Sequence, residues 1–483
     1  MSARRTLATA VASAALLLAG SAPAAGVLVP DPGPHVPPRP SVPSAPSGAS
    51  TADEPQATPT DRPLAGAVDP ANVLAHLQAW QTIADRHDGT RAAGTAGHEA
   101  SARYVEERLT AAGYDTWRHT FPFTYERTRS TSVTATVGAT TTSVGHLPMA
   151  QSPGTPDGGV VGQLALPSGA ATGCTPQDWE GVETAGRIAL LTRGGCTFAD
   201  KARVAGEAGA VGLVVHNTTT GPLNGALGGH PDEHIPTVGV TEEVGRDLRE
   251  LSADATLSIA LDKVVEERET FSVLAETGTG DADSTVMVGA HLDSGRDGPG
   301  INDNGTGSAV LLETAVRLAE AGTPERPVRF AWWGASDLGN LGSRAYVSDL
   351  AAGPDGLGGL ALYLDVDTVA SPNHIIGVHG TGDAGSALTD SLDSVGQAWV
   401  ETATPEDSDA RSFLDEGVPT AGLSTGTSGA KTVRESELFG GRAGVPHDPN
   451  NDTVADDLDN VDVDVLETTT EVVARAVETL ASR

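Results

Sequence analysis

Apolar positions along this chain keep two rhythms, and the places where the rhythm changes divide the sequence into parts. From about residue 270 onward, short unbroken apolar runs alternate with stretches of helical period: STVMVGAHLDS, GSAVLLETAVRLAEAG, PVRFAWWGAS and LALYLDVDTVA. Unbroken runs suit strands covered on both faces, so the alternation predicts an α/β domain with a mostly parallel central sheet flanked by helices. A closing helix is predicted from about 463 to 481, and two earlier helical patterns fall at 71–86 and 97–112. The threonine-rich STSVTATVGATTTSVG, 130–145, reads as strand and turn. Between 140 and 262 the runs RIALLTRG, AVGLVVHN and IPTVGVT alternate with turns and one helical segment, FADKARVAGEAGA. This part reads as a smaller, β-rich α/β insert that splits the main domain into 69–139 and 263–483.

The amino-terminal region has neither rhythm. Arg4 and Arg5 precede an apolar run from Leu7 to Ala19, and SAPAA offers small residues for cleavage, so 1–25 reads as a secretory signal peptide. That run is short for a membrane span, and no later segment is apolar enough to be one. No cysteine follows the leader, which argues against a lipid anchor. Residues 26–68, rich in Pro, Ala and Ser, are predicted to be a disordered linker. The expectation is a secreted, extracellular protein.

Charge narrows the set of partners. The formal net charge is −34, with 64 acidic against 30 basic residues. Such a balance repels nucleic acid and anionic membrane surfaces. In an oxidising compartment Cys174 and Cys196 read naturally as one disulfide, the plainer alternative being two separate buried thiols. A metal site on the two cysteines is disfavoured because no histidine lies between them.

In parallel sheets, functional groups gather beyond the carboxyl ends of the strands. His291 and Asp293 end one run, Asp303 sits in the glycine-rich turn GPGINDNGTG, Asp337 ends another run, and Asp365 and Asp367 end a third. One imidazole and several carboxylates suit a hard or borderline divalent metal. Asp293 is placed to fix the tautomer of His291. Each element alone has an ordinary explanation, since an Asp at a strand end commonly caps a helix or forms a turn. The ordered set carries the signal.

HLDS, GINDNGTGSAVLLE, FAWWGASDLGNLGSRAYV, LYLDVDTVASPN and AGVPHDPNNDTVADDLDNVD together resemble the co-catalytic zinc aminopeptidases of metallopeptidase family twenty-eight, over about residues 70 to 481. The insert resembles a protease-associated (PA) domain through GCTPQDW, GRIALLTRGGCTFADKARVAGEAGAVGLVVHN and IPTVGV, which supports the Cys174–Cys196 bridge. The resemblance implies two zinc ions that share a carboxylate and act on peptides or protein N-termini. It also implies that His291 and Asp367 bind one zinc, that Asp303 bridges, and that Asp293 orients His291.

Other positions depart from the family pattern. Where the family has a Glu-Glu pair, this chain has Ser336 and Asp337: serine stands at the general base, and a shorter carboxylate at a ligand of the second zinc. In DPNNDTVAD, Asp452 aligns with a histidine ligand, and His447 lies five residues upstream. In SDARSF, Ala410 replaces a histidine near the substrate. One metal's ligands are therefore intact while the second metal and the base are altered. The reading is an exported zinc aminopeptidase of weakened activity. A catalytically inactive relative that binds peptides or partners is the alternative. All-oxygen ligands at Asp303, Asp337 and Asp452 would also suit calcium, although a solvated acidic surface explains much of 446–467.

Overall fold

In a computed structural model the described residues are 63–482, apart from 220, 229–232, 279–283, 355 and 381. The leader and all but the end of the linker lie outside them. The chain opens with α1 (Leu64–Ala67), α2 (Pro70–Arg86) and α3 (Ala96–Ala111). Asp69 caps α2 by accepting from Ala71 N, and Thr95 caps α3 by accepting from His98 N. Residues 63–68, expected as the end of the linker, are instead ordered. Leu64 is 1 % exposed, and its N–H donates to Glu478 near the end of the chain at 3.0 Å. Proline and alanine content concealed these two buried apolar anchors, Leu64 and Val68.

Two long strands bracket the next part of the chain. β1 (Thr116–Val137) turns into β2 (Thr140–Ser143) and leads through β3 (Leu147–Pro148), β4 (Val160–Ala165), β5 (Ile188–Thr192), α4 (Phe198–Glu207), β6 (Gly212–His216), β7 (Thr237–Val240) and α5 (Glu242–Arg249). The chain then returns along β8 (Thr256–Glu276), which pairs antiparallel with β1 from Thr116↔Ala275 to Thr136↔Thr256. One bulge breaks the register, where Thr128 pairs with Lys263 and Ser130 with Asp262. Within this excursion β4, β5, β6 and β7 run parallel, and Cys174 and Cys196 form a disulfide with Cα atoms 5.9 Å apart.

The remaining elements are β9 (Thr285–His291), α6 (Gly307–Ala321), β10 (Val328–Trp333), α7 (Leu341–Ala352), β11 (Leu360–Val366), β12 (Gly377–Gly380), α8 (Gly382–Ser394), β13 (Val400–Glu401), α9 (Ala410–Leu414), β14 (Thr420–Ser424), α10 (Val433–Phe439) and α11 (Val463–Ala481). Strands 10, 9, 11 and 14 lie side by side and parallel, flanked by antiparallel β8 and β12. Because β8 also pairs with β4, one sheet of 14 strands runs through both parts of the chain.

Strand parity then assigns side chains to faces. Val286, Val288 and Ala290 of β9, Phe330 and Trp332 of β10, and Leu362 and Leu364 of β11 pack with α2, α3, α6, α8 and α11. Met287, Ala331, Trp333 and Tyr363 face the opposite way, toward Tyr346 of α7 and Phe413 of α9. On that side Gly289 is obligatory: an added Cβ would lie 2.4 Å from Tyr363 Oη and 2.5 Å from Trp333 Nε1. Among the described residues, no helix is long and apolar enough to cross a membrane.

Serine at Cys174 and Cys196 should lower stability by about 3 kcal/mol for a closed loop of this length. Denaturant unfolding should register the loss, and the loss should appear equally on reduction.

Candidate metal centre and active site

His291, Ser336, Asp337, Asp365 and Asp367 stand where strands of the parallel sheet run out, and loops bring the other site residues to them. β9 delivers His291 directly, and the chain then loops through 292–300 into an irregular turn, 301–306, that presents Asp303. Arg91, between α2 and α3, holds this loop. It is fully buried and donates to the carbonyls of Leu292, Pro299 (2.8 Å) and Gly300 (2.6 Å), with its guanidinium 5.6 Å from the Trp80 ring. Burial lowers Arg91 to about 10 against the pull of Asp293, Asp456, Asp337 and Asp303. Asp456 fixes the turn from the other side by accepting from Asn302 N (2.9 Å) and Asp303 N (3.1 Å). Burial raises Asp456 to about 7.

His291 Nε2 lies 3.1 Å from Asp303 Oδ1 and 3.5 Å from Asp367 Oδ1. The donor atoms of these three residues lie within 4.8 Å of one another. On the other side of the ring, Nδ1 lies 3.0 Å from the backbone carbonyl of Asp293, whose carboxylate is 3.9 Å away. The expected orienting role of the Asp293 side chain is therefore corrected: the shorter contact is made by its main chain, while Asp293 Oδ1 accepts from Ser336 N at 3.1 Å. An Nδ1–H donated to a carbonyl turns Nε2 toward the two carboxylates, where loss of its proton would free it as a metal ligand. Burial opposes charge on His291, yet the bonds from Asp303 and Asp367 hold its pKa well above the ordinary value.

Asp303 has both oxygens engaged. Oδ1 receives Thr368 Oγ1 at 2.9 Å, and Oδ2 receives the Asn451 amide at 2.5 Å. Asp337 and Asp452 converge on Gly295, where an added Cβ would lie 2.8 Å from Asp452 Oδ1 and 3.4 Å from Asp337 Oδ2. A side chain at 295 would fill the space between the two acids. Both are raised, first by lost solvation in the cleft and then by neighbouring charge, Asp293 for Asp337 and Asp303 for Asp452. Ala335, Thr368 and Asp452 have positive φ (58°, 52° and 59°), so left-handed backbone flanks or holds three of the acids. Such conformations are uncommon outside glycine and cluster where function fixes the backbone.

Ser336 lines the same cleft and is bonded to a different acid. Its hydroxyl donates to Asp409 Oδ2 at 2.6 Å. Asp409, 4 % exposed, is raised to about 6 by burial, with Asp367 adding to the effect and His291 opposing it. Asp365, also buried, accepts from Tyr363 (2.9 Å) and Ser408 (2.6 Å) and is raised to about 8 by burial and by Asp367 and Asp409. These groups line a cleft of about 460 Å³ together with His291, Asp303, Asp337 and Asp452. His447 reaches the same cleft, but its Nε2 lies 3.6 Å from Glu435.

One imidazole nitrogen, once its proton is displaced, and two carboxylates within reach make a donor set that fits zinc or a similar divalent ion. The mutual repulsion of the acids around it, which raises Asp337 and Asp452, is what a bound dication would relieve. Asn451, Asp409 and Arg91 were not singled out in the sequence. The visible trace of Asn451 was its place beside Asp452 in DPNNDTVAD, and that of Asp409 was SDARSF; Arg91 left none.

Residues 272–477 match Peptidase family M28, and residues 160–248 match the PA domain family. A probable lipoprotein aminopeptidase, LpqL, of Mycobacterium tuberculosis is 38 % identical, over 81 % of this chain and 80 % of its own length. An aminopeptidase of Pseudomonas aeruginosa is 37 % identical over 82 % and 78 %. Leucine aminopeptidase 2 of Trichophyton tonsurans is 33 % identical over 84 % and 83 %. In fold, the chain is similar to the aminopeptidase of Aneurinibacillus sp. strain AM-1, with a TM-score of 0.67 and 24 % identity over 87 % of this chain and 95 % of that one. It is also similar to BSAP, a zinc aminopeptidase of Bacillus subtilis, with a TM-score of 0.63 and 22 % identity over 86 % and 96 %. With near full-length relatives and a metal-fitting triad at the ends of its parallel strands, the chain belongs to the metallo-aminopeptidases of peptidase family M28 and carries a PA domain.

Proposed function

We propose that this protein is an exported, slow, zinc-dependent aminopeptidase that holds one ion through His291, Asp303 and Asp367. The convergence of those three donors in an acid-lined cleft carries the reading. Zinc bound there would polarise a peptide carbonyl and acidify water. The chain's own groups do the rest. The Asp293 carbonyl keeps His291 in the ligating tautomer, Asp456 and Thr368 fix Asp303, and the anionic cleft attracts the ammonium group of a peptide or protein N-terminus.

The departures support slow turnover and a single ion. Serine does not ionise near neutral pH, so Ser336 lacks the basicity of a glutamate. The Asp303 oxygen that would serve a second ion already accepts the Asn451 amide. The leader pattern in 1–25 and the disulfide support export. A second reading, peptide binding without turnover, is favoured by the same Asn451 contact and by Ser336. Calcium, through Asp303, Asp337 and Asp452, is the competing cation.

Metal analysis of the purified protein should find close to one zinc per chain, lost in Asp367→Asn. A substoichiometric content of every divalent ion, or calcium in place of zinc, would contradict the proposal. Aminoacyl-nitroanilides should be cleaved below about 0.1 s⁻¹, some 10²-fold under the median enzyme kcat of about 10 s⁻¹. No turnover at all would favour the binding reading. The triple variant Ser336→Glu, Asp337→Glu, Asp452→His should gain about 10²-fold in kcat, the usual worth of a general base. An unchanged rate would show that these positions are not the altered site.

Stability should also depend on pH. Asp409, Asp456 and Asp365 have folded values of about 6, 7 and 8, above the unfolded carboxylate range. A group raised on folding stabilises fully below its unfolded pKa, and that contribution is lost as pH rises through its folded value. The metal-free Tm should therefore fall between about pH 4 and pH 8, and zinc should raise it most at the upper end. A metal-free Tm that climbs across this window would contradict the assignment.

A further inference from the structure

The Ser336–Asp409 contact is more than the scar of a lost glutamate. Of the acids lining the cleft, Asp337 is directed toward Gly295 and Asp452, and both oxygens of Asp365 are held by Tyr363 and Ser408. Asp409 spends one oxygen on the Ser336 hydroxyl at 2.6 Å. Its buried Oδ1 has no hydrogen-bond partner among the described residues, although the Ser343 hydroxyl is beside it. Ser336 itself is held by its N–H to Asp293, and Ser336 and Asp409 line the same cleft as His291, Asp303 and Asp367, so the bonded hydroxyl and carboxylate share the space of the metal-ligand candidates. A hydroxyl can accept one proton while giving up another, which a carboxylate position lost to serine would need.

We propose that Ser336 and Asp409 form a two-group proton relay that replaces the missing glutamate of the hydrolytic site. The relay rests on the aminopeptidase reading. As the oxygen of a water molecule bonds to the carbonyl carbon, that water gives a proton to Ser336 Oγ, directly or through one further water. The Ser336 hydroxyl proton passes to Asp409 Oδ2, which becomes a carboxylic acid. When the carbon–nitrogen bond breaks, Asp409 returns its proton to Ser336, and Ser336 protonates the leaving nitrogen. The products are the freed amino acid and the shortened peptide, and the relay is restored. A value of about 6 for Asp409, set by burial and faced by His291, Asp365 and Asp367, leaves it ionised and able to accept near neutrality. Ser336 is the member that meets the reacting water, and Asp409 acts through it.

The test compares the parent protein, loaded with one zinc, with Asp409→Asn, Ser336→Ala, Ser336→Glu and the Ser336→Glu, Asp409→Asn double variant on an aminoacyl-nitroanilide. Asp409→Asn and Ser336→Ala should each lower kcat about 10²-fold while KM and zinc content stay within twofold. In the Ser336→Glu background, where glutamate takes the proton itself, Asp409→Asn should cost less than tenfold. Such dependence on residue 336 distinguishes a relay from a merely structural carboxylate. In the metal-free protein, the carboxyl infrared band that disappears in Asp409→Asn should shift in Ser336→Ala, which reports the contact without any turnover.

Parent-like kcat in Asp409→Asn, an equal loss in both backgrounds, or an unshifted band would overturn the relay and leave the aminopeptidase reading standing. If Asp409→Asn does not fold, Ser336→Ala decides alone, and a parent-like rate there overturns the proposal. A parent that is inert beside an active Ser336→Glu variant overturns the relay and favours binding without turnover for the parent chain. If neither turns over although both hold zinc, the aminopeptidase reading fails and the relay with it.

Discussion

The cleft is organised by an imbalance of charge. Asp303, Asp337, Asp365, Asp367, Asp409 and Asp452 line it with His291, and the charges of Asp293 and the buried Arg91 act on it from behind. Like charges about 4 Å apart repel by about 4 kcal/mol at the effective dielectric of a protein surface. Such a cluster must take up protons, borrow hydrogen bonds or bind a cation. The second is on view, since Thr368, Ser408, Ser336 and Asn451 each give a hydrogen bond to an acid, and the raised values of Asp365, Asp409 and Asp456 make the first easier. A dication is the third answer and the one the His291 geometry anticipates.

The departures from the family pattern form one set on that view. Where relatives of this family are expected to bring a second metal, this chain brings a neutral amide to Asp303 Oδ2 and a carboxylate at Asp452. Where a glutamate is expected, a serine hydroxyl donates a hydrogen bond to Asp409. Each change substitutes a proton donor or a shorter acid for a group that works beside a second ion. Arg91 adds a fixed positive charge behind the first site and, through three carbonyls, sets the path of the loop between His291 and Asp303. Its charge therefore cannot be separated from its role as a brace.

The mostly parallel sheet and the grouping of acids with one histidine beyond its strands were legible because they depend on local pattern. Apolar runs mark buried parallel strands, and His291, Asp303 and Asp367 each follow such a run or its connecting turn. Asp409 and Asn451 were illegible because their meaning lies in contacts with Ser336 and Asp303, far away in sequence. Arg91 falls in an ordinary polar stretch, and the partners that justify burying it come from a loop about two hundred residues later. Asp293 shows a subtler limit: both its carbonyl, at 3.0 Å, and its carboxylate, at 3.9 Å, lie beside His291 Nδ1, and a sequence cannot tell a main-chain acceptor from a side-chain one. At 63–68, composition suggested disorder, whereas two apolar side chains, Leu64 and Val68, sufficed to dock the segment.

The β1–β8 ribbon has a consequence for how the chain can be assembled at all. For the strands that build the metal cleft, everything between Val137 and Thr256 is the tip of a hairpin, because the outgoing and returning chains stay paired along their whole length. The entropy of closing a loop grows only with the logarithm of its length, and here the two ends are already zipped together. The main sheet therefore gains a second folded body without losing contact between its own neighbours, β1 and β8. Length added or removed beyond that tip changes the reach of the hairpin and leaves the cleft's own strand order untouched.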